Sequence, residues 1–287
     1  MAKISYVNGS YVHHAEAAVH IEDRGYQFSD GIYEYVAFYN RKMVDADLHF
    51  KRLERSLKEL QITMPVSIAA LSIIIRELIE RNGREDGGIY IQITRGVAKR
   101  DHAFPKNTKP ALVVTISASK LPSAELISKG MKVITQPDTR WARRDIKSIS
   151  LLGNIMAKQA ATEVQAREAW LVDGVNVMEG SASNAYIVTK SGEVVTHPAT
   201  HAILGGITRD VVLKLARANK IHVSERVFNT VEMVDAAEAF MTSTSANVLP
   251  VVMIDNRRIG SGKPGPITLQ LQELYAKHIT EQTGKQF

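Results

Sequence analysis

Two residues of the sequence could carry acid–base or carbonyl chemistry. Lys147 lies in the segment DIKSISLLGN among apolar residues, where loss of water would lower its pKa and free the amine to attack a carbonyl. Most lysines that precede a helix are solvated, so this residue alone leaves both interpretations open. Glu179 begins the segment EGSASNAY. Its carboxylate could bind a protonated heterocyclic nitrogen, with Ser183 as a hydrogen-bond donor, or lie in a surface turn.

Three further segments could bind an anion. The stretch LGGITRDVVL at 204–213 places Thr208 at a predicted helix start, where backbone N–H groups and the helix dipole attract negative charge. A plain helix with Thr208 as its N-cap is the alternative. STSAN at 243–247 offers hydroxyl groups at a strand end. Arg52, on a predicted helix, either reaches solvent or pins an anion.

The loop KRDHAF contains Arg100 and His102, which are two residues apart. In an extended loop both side chains point the same way, so the pair could trap a carboxylate. An exposed basic loop is the alternative interpretation.

Composition argues against several classes of function. The chain has 287 residues, and its 36 Lys and Arg against 30 Asp and Glu give a net charge of +6, but no stripe of basic residues indicates nucleic-acid binding. No apolar run approaches the roughly 20 residues of a membrane span, and the N-terminus lacks a signal core. We therefore expect a cytoplasmic protein. Without cysteines, and without GxSxG, HExxH or P-loop motifs, neither a hydrolase nor a metal site is indicated.

The elements that must position these residues are mixed strands and helices. An Asn-Gly turn joins two short strands near the N-terminus, and leucines at helical spacing predict helices at 47–61 and 68–81. A proline and small residues then interrupt the pattern. We predict a two-domain α/β (α+β) protein, with a small N-terminal domain of residues 1–119, a linker of 120–124 and a larger C-terminal domain of 125–287. The other predicted strands are 32–39, 89–95, 111–117, 131–136, 168–173, 184–189, 239–243 and 248–254, and the other helices 150–165, 208–219, 230–238 and 266–281.

Taken in order, the segments resemble the class-IV (fold-type IV) pyridoxal-phosphate aminotransferases, and among these the D-amino-acid transaminases most. The resemblance runs nearly end to end. It is carried by EDRGYQFSDGIYE at 22–34, HFKRLERS at 49–56, KRDHAFP at 99–105, RRDIKSISLLGN at 143–154 and the stretch from Glu179 to Arg209. The resemblance implies the two-domain fold of that class, with pyridoxal 5'-phosphate between the domains.

The resemblance also implies the site residues. Lys147 would be the catalytic residue, forming a Schiff base with the cofactor and then acting as a base, while Glu179 would keep the pyridine nitrogen protonated. The other implied cofactor-binding residues are Arg52, Ser183, Ile207, Thr208, Ser243 and Thr244. The implied substrate-binding residues are Tyr33, Tyr35, Arg100 and His102. Tyr35 stands where a small aliphatic residue is common, and Ala182 where a serine is, which bears on the range of substrates.

The implied activity is ping-pong transamination, through pyridoxamine phosphate, between D-amino acids (D-alanine or D-glutamate) and 2-oxo acids such as 2-oxoglutarate or pyruvate. The open alternatives are a branched-chain L-amino-acid or (R)-amine transaminase, and a lyase resembling aminodeoxychorismate lyase. The Arg-x-His loop favours the transaminases. In relatives this loop reaches in from the other subunit, which implies a homodimer with a shared active site. The expected partners are small-molecule substrates, with no nucleic acid and no membrane.

Overall fold

The computed structural model describes residues 3–118 and 121–286, which form two compact units. The first unit contains the described residues up to Ala118 together with Ile146–Ser150 and Glu281–Lys285. The second contains those from Leu121 to Asp145 and Leu151–Thr280, with Gln286. Among the described residues, no helix is long and apolar enough to cross a bilayer.

The first unit is built on an antiparallel sheet with the strand order β2-β1-β6-β5-β3-β4. The Asn8-Gly9 turn, with both residues at positive φ, joins the first two strands, as the sequence predicts. The strands are β1 (Ile4–Val7), β2 (Ser10–His13), β3 (Gly31–Tyr39), β4 (Lys42–Met43), β5 (Gly87–Thr94) and β6 (Ala111–Ala118), and the helices α1 (Arg24–Phe28), α2 (Ala46–Glu59) and α3 (Ile68–Arg81).

The core of the first unit lies between this sheet and the apolar faces of its two longer helices. Leu53 and Leu57 of α2 and Leu71 and Ile75 of α3 recur at helical spacing and are almost completely buried. Ser67 begins α3 as an N-cap whose hydroxyl accepts a hydrogen bond from the N–H of Ala70. The predicted bounds of this helix, 68–81, are confirmed.

The second unit is built on a mixed ten-stranded sheet with the order β12-β11-β10-β14-β15-β7-β8-β9-β13, and β16 pairs with β15. Its core contains Trp170, Phe228 and Leu249, all fully buried. The strands are β7 (Met131–Pro137), β8 (Glu168–Asp173), β9 (Asn176–Gly180), β10 (Asn184–Val188), β11 (Val194–Thr196), β12 (Val223–Glu225), β13 (Phe228–Asn229), β14 (Glu238–Ser243), β15 (Asn247–Ile254) and β16 (Arg257–Arg258). The helices are α4 (Ala124–Lys129), α5 (Leu152–Glu163), α6 (Ile207–Ala218), α7 (Thr230–Asp235) and α8 (Pro266–Thr283), whose final residues from Glu281 are grouped with the first unit.

Three of the differences between the structure and the predictions have a clear local form. A short helix, α4, begins at Ala124 within the predicted linker, because Ser123 caps it through the N–H of Leu126. Ser119 and Lys120 lie outside the described residues, so the predicted domain boundary stays a prediction. Glu179 lies within strand β9, next to its last residue, instead of opening a turn. The N-cap of α6 is Gly206, so the interpretation of Thr208 as the N-cap is wrong: the chain already turns helical at Ile207.

Candidate functional site

Lys147 lies in a short segment that follows the edge of β3 in the first unit. Its carbonyl accepts a hydrogen bond from the N–H of Tyr33 at 3.0 Å, and the N–H of Ile149 donates to Gly31 at 3.1 Å. The side chain is half-buried, with Nζ 4.2 Å from the centroid of the Tyr33 ring. Backbone pairing to β3 therefore fixes the main chain of the lysine, and its amine lies on the electron-rich face of an aromatic ring.

Tyr33 and Tyr35 project from the same face of β3, since side chains alternate along a strand. The Tyr33 ring stacks on Tyr90 with 5.6 Å between centroids. Burial raises the pKa of Tyr90 to about 12, so its phenol stays protonated and donates to Gln92 at 2.7 Å. The Tyr35 hydroxyl occupies the space over Gly88, where a built Cβ would lie 1.8 Å from it. Only glycine at that position leaves room for the phenol.

The opposite face of β3 carries a buried carboxylate, Glu34, that sequence reasoning did not identify. Arg52 of α2 donates to both of its oxygens, through Nε at 3.0 Å and Nη2 at 2.6 Å, and His49 Nδ1 lies 3.0 Å away. These two partners hold the pKa of Glu34 well below its usual range, although burial acts in the other direction. Burial also lowers the pKa of His49. Glu34 thus fixes the guanidinium of Arg52, the predicted phosphate ligand.

The loop between β5 and β6 carries Arg100 and His102, and both side chains are exposed. They contact the same ring: the Arg100 guanidinium carbon lies 4.7 Å from the centroid of Phe28, and the His102 ring 5.6 Å from it. The two residues predicted to bind a carboxylate are therefore neighbours in space, held against one aromatic side chain.

In the second unit, the carboxyl group of Glu179 is buried at the end of β9. It accepts hydrogen bonds from Arg140 Nη1 at 2.6 Å, from the N–H of Leu204 at 3.1 Å and from Asn184 Nδ2 at 3.2 Å. Arg140 is held in turn by Asp138, at 2.8 Å. Burial raises the pKa of Glu179 to about 7, since desolvation outweighs the ion pair. A group with that pKa ionises readily when a cation approaches it.

The turn after Glu179 is held by a second buried carboxylate. Ser183 donates its hydroxyl to Glu168 at 3.1 Å, and Ser181 donates to the other oxygen of the same carboxylate. Ser183, a predicted cofactor ligand, thus donates to Glu168 and shapes the turn that follows Glu179.

The first turn of α6 contains the predicted anion-binding residues Ile207 and Thr208. Both are buried, and their N–H groups lie where a helix provides no acceptor of its own. The Thr208 hydroxyl lies 3.4 Å from the phenol of Tyr275. The preceding Gly206 is required, because a built Cβ would lie 2.1 Å from Asn184 Oδ1. Asn184 therefore joins this helix start to Glu179.

Ser243 and Thr244 lie at the turn between β14 and β15. The Ser243 hydroxyl accepts a hydrogen bond from the N–H of Ala246 at 3.2 Å, and Thr244 is half-buried. These hydroxyls lie at the end of strand β14, whose neighbour β10 begins at Asn184 opposite Thr242. The turn is thus at the same end of β10 as the carboxyl group of Glu179.

Sequence reasoning missed Glu34, His49, Asp138 and Arg140. A signal existed for Glu34, which is the one charged residue in the apolar strand GIYEYVAFY and must therefore find a cationic partner. No comparable signal marks Arg140, since its partner Glu179 is 39 residues away in the sequence.

Comparisons with known proteins identify the family of the chain. The family model described as amino-transferase class IV matches residues 31–254. The chain is 42% identical to a D-alanine aminotransferase of Staphylococcus haemolyticus, over 99% of this chain and 100% of that protein. It is also 42% identical to a D-alanine aminotransferase of Bacillus licheniformis, over 97% and 98% of the two chains.

Solved structures are similar over the whole chain as well. A branched-chain amino acid aminotransferase of Escherichia coli has a TM-score of 0.91 and 25% identity, covering 100% of this chain and 97% of its own. A second branched-chain amino acid aminotransferase, from T.th. and solved with pyridoxamine 5'-phosphate, has a TM-score of 0.90 and 27% identity, covering 98% and 95%. The predicted family resemblance and the two-domain α/β fold class are confirmed.

Proposed function

Because the chain belongs to the class-IV aminotransferase family, we propose that it transfers amino groups between D-amino acids and 2-oxo acids with pyridoxal 5'-phosphate as cofactor. The family makes it an aminotransferase. The names of its D-alanine aminotransferase relatives, which match over nearly their whole length, support D-amino acids as substrates. The observation that carries the proposal is the combination of a half-buried lysine in the segment paired with β3 and a buried, readily ionised carboxyl group on β9.

The residues present fit this cofactor. A pyridinium nitrogen needs a buried anionic acceptor, which Glu179 can provide because its pKa of about 7 falls when a cation binds beside it. A phosphate needs fixed donors, which Arg52 and the first turn of α6 offer. When bound, pyridoxal phosphate supplies an aldehyde that accepts the amino group and a ring that withdraws electrons from the substrate α-carbon.

Lys147 would hold the cofactor and move the proton. Its backbone is paired to β3, while the long side chain keeps rotational freedom at Nζ. An amine of this kind would act as the base that takes up and returns the proton at the substrate α-carbon. The Tyr33 ring, which stacks on Tyr90, lies beside the amine and limits where it can move on that side.

Arg100, His102 and Tyr33 would bind the substrate carboxylate. A guanidinium and an imidazole on one ring form a pair of donors suited to two carboxylate oxygens. The position of the carboxylate decides which α-hydrogen points at Lys147, so we assign the preference for D-amino acids to this pair. Tyr35 would border the space for the substrate side chain.

We also propose a homodimer with a shared active site, in the cytoplasm. Large apolar side chains are exposed on α5, where Leu152, Ile155 and Met156 are 72%, 59% and 64% exposed. The first unit exposes Ile21 and Tyr26 as well, at 75% and 76%. Apolar patches of this kind support association with a second copy of the chain. Light scattering of the purified protein tests it, since a monomer would refute the dimer.

The test of the proposed function is a panel of D- and L-amino donors. The protein is incubated with D- or L-alanine and 2-oxoglutarate, and pyruvate is measured. We expect turnover of the D-isomer. Turnover of the L-isomer alone would refute the proposed preference for D-amino acids. It would favour a branched-chain amino acid aminotransferase, the activity for which the similar solved structures are named. Consumption of a donor without amino exchange would favour a lyase.

A further inference from the structure

Helix α1 runs beside the start of the loop that connects β5 and β6. The N–H of Arg24 donates to the carbonyl of Gly96 at 3.0 Å. Gly25 packs on Thr94, where a built Cβ would lie 2.2 Å from the threonine methyl group, so only glycine allows this close approach. The helix is therefore fixed at the point where the loop begins.

The side chain of Arg24 reaches the backbone of the Arg100–His102 segment itself. Its guanidinium is buried, with a side-chain exposure of 4%, and donates from Nη1 to the carbonyl of Asp101 at 2.5 Å and from Nη2 to that of His102 at 3.5 Å. Nε donates to Asp30 at 2.8 Å. A planar guanidinium can serve two carbonyls and a carboxylate at once, which an ammonium group cannot do in this fixed geometry.

Asp30 links Arg24 to Arg95, a second arginine that contacts the loop. We call these two arginines the anchors of the loop. Arg95 donates to both Asp30 oxygens, at 2.7 and 3.0 Å, and its guanidinium lies 3.6 Å from the centroid of Phe104, farther along the loop. The two arginines hold the pKa of Asp30 below its usual value, although burial acts in the other direction. The carboxylate thus stays ionised and joins both anchors of the loop.

Phe28, at the end of α1, completes the arrangement. The guanidinium carbons of Arg24 and Arg100 lie 4.8 and 4.7 Å from its ring centroid, and the His102 ring 5.6 Å. The carboxylate-binding side chains thus rest on a ring that belongs to the same helix as the arginine that holds their backbone.

We propose that Arg24 is a positioning residue for the substrate carboxylate, acting through Arg100 and His102. Without Arg24, the exposed loop would sample many conformations, and the binding of a carboxylate would then include the free-energy cost of ordering the loop. With the anchor, the two donors are held ready. The inference rests on the proposed function, in which this pair binds the substrate.

The first test is kinetic. Arg24→Gln removes a charged hydrogen-bonding group worth about 1.4 kcal/mol, so we expect KM for D-alanine to rise about tenfold with little change in kcat. In an Arg100→Ala/His102→Ala background, the same substitution should add nothing, because Arg24 acts through these two residues. Arg81→Gln is the control, since the Arg81 guanidinium also lies on an aromatic ring, 4.3 Å from the centroid of Tyr11, but away from the loop.

The second test needs no activity. Trypsin is added to the cofactor-free protein, and cleavage after Lys99, Arg100 and Lys106 is followed by mass spectrometry. We expect Arg24→Gln to speed cleavage at these sites only, and Arg81→Gln to leave it unchanged. Phe28→Leu, which keeps an apolar side chain at this position, should also speed cleavage at the loop sites only. It replaces Arg24→Gln in this test if Arg24→Gln fails to fold.

The outcomes separate this inference from the proposed function. A wild-type protein without amino transfer from any amino acid would refute the proposed function, while the trypsin comparison would still decide whether Arg24 orders the loop. An active wild type with an unchanged KM and unchanged loop cleavage in Arg24→Gln would overturn the role of Arg24. Equal effects of Arg24→Gln in the wild type and in the variant that lacks both Arg100 and His102 would also overturn it.

Discussion

Nη1 of Arg140 lies 2.6 Å from Oε1 of Glu179, and both side chains are almost completely buried. The arginine also pairs with Asp138, so a chain of alternating charges leads to the carboxyl group that we assign to the cofactor ring. Removing one member of a buried pair leaves the other uncompensated, which makes this contact sensitive to substitution.

The stability of the cofactor-free protein should reflect the titration of Glu179. Its pKa of about 7 in the folded state lies above the ordinary 4.5, so its stabilising contribution is complete below pH 4.5 and is lost as the pH rises through 7. The shift predicts a loss of about 3 kcal/mol over that window. Urea denaturation at several pH values measures it. Glu179→Gln should lack this pH-dependent component. If the free energy of unfolding changed with pH equally in the wild type and in Glu179→Gln, the raised pKa of Glu179 would be contradicted.

Arg140→Met should reduce transamination at neutral pH. Without the guanidinium, burial raises the pKa of Glu179 further, and each unit above the working pH removes about tenfold of the ionised form. We expect a lower kcat that recovers as the pH rises, and partial recovery in Arg140→Lys. Arg143→Met is the control, since Arg143 pairs with Asp145 and is 34% exposed. A pH profile of Arg140→Met parallel to that of the wild type would show that Arg140 does not act on Glu179.

Glu34→Gln should destabilise the protein strongly. The substitution removes the charge that Arg52 and His49 share in the core of the first unit, at a cost of about 3–5 kcal/mol. Because the pKa of Glu34 is depressed, this stabilisation is present above pH 4.5 and is lost as the pH falls below it.

The control for Glu34 is Glu85→Gln. Glu85 pairs with Arg41 at the surface, where the two side chains are 63% and 52% exposed, and such pairs contribute at most about 1 kcal/mol. Urea denaturation at neutral pH compares the two variants. Equal losses of stability would mean that the buried pair contributes no more than a surface one.

Tyr35→Val should widen the range of accepted D-amino acids. The phenol extends over Gly88 on the same face of β3 as Tyr33, so its removal opens space beside the proposed substrate position. We expect kcat/KM for D-amino acids with large side chains to rise relative to that for D-alanine. Gly88→Ala should shift selectivity too, because it displaces the phenol. Unchanged selectivity in both variants would place Tyr35 outside the substrate site.

The sequence predicts the fold well where apolar periodicity is strong. The helix α3 and the strands β3 and β5 follow directly from it. Strand β11, only three residues long, leaves too short a pattern to identify, and α4 depends on a single serine cap next to a proline. Propensity also favours Thr208 over Gly206 as the N-cap of α6, but Asn184 leaves no space for a side chain there.

The candidate site is less predictable than the fold. Motifs identify the lysine, the glutamate and the arginine of the proposed site, because the chemistry requires these residue types in a fixed order along the chain. Their partners depend on packing: Glu34 meets Arg52 only when α2 lies on β3, and Arg140 meets Glu179 only across 39 residues of chain. Residues that position other residues therefore need a structure to be found.

The most direct test of the central claim is borohydride reduction of the cofactor-loaded protein, followed by peptide mapping. Reduction fixes the cofactor to the amine that holds it. We predict that the label lies on Lys147 and that the Lys147→Ala variant carries none. A label on any other lysine, or no label in the wild-type protein, would contradict the proposed site.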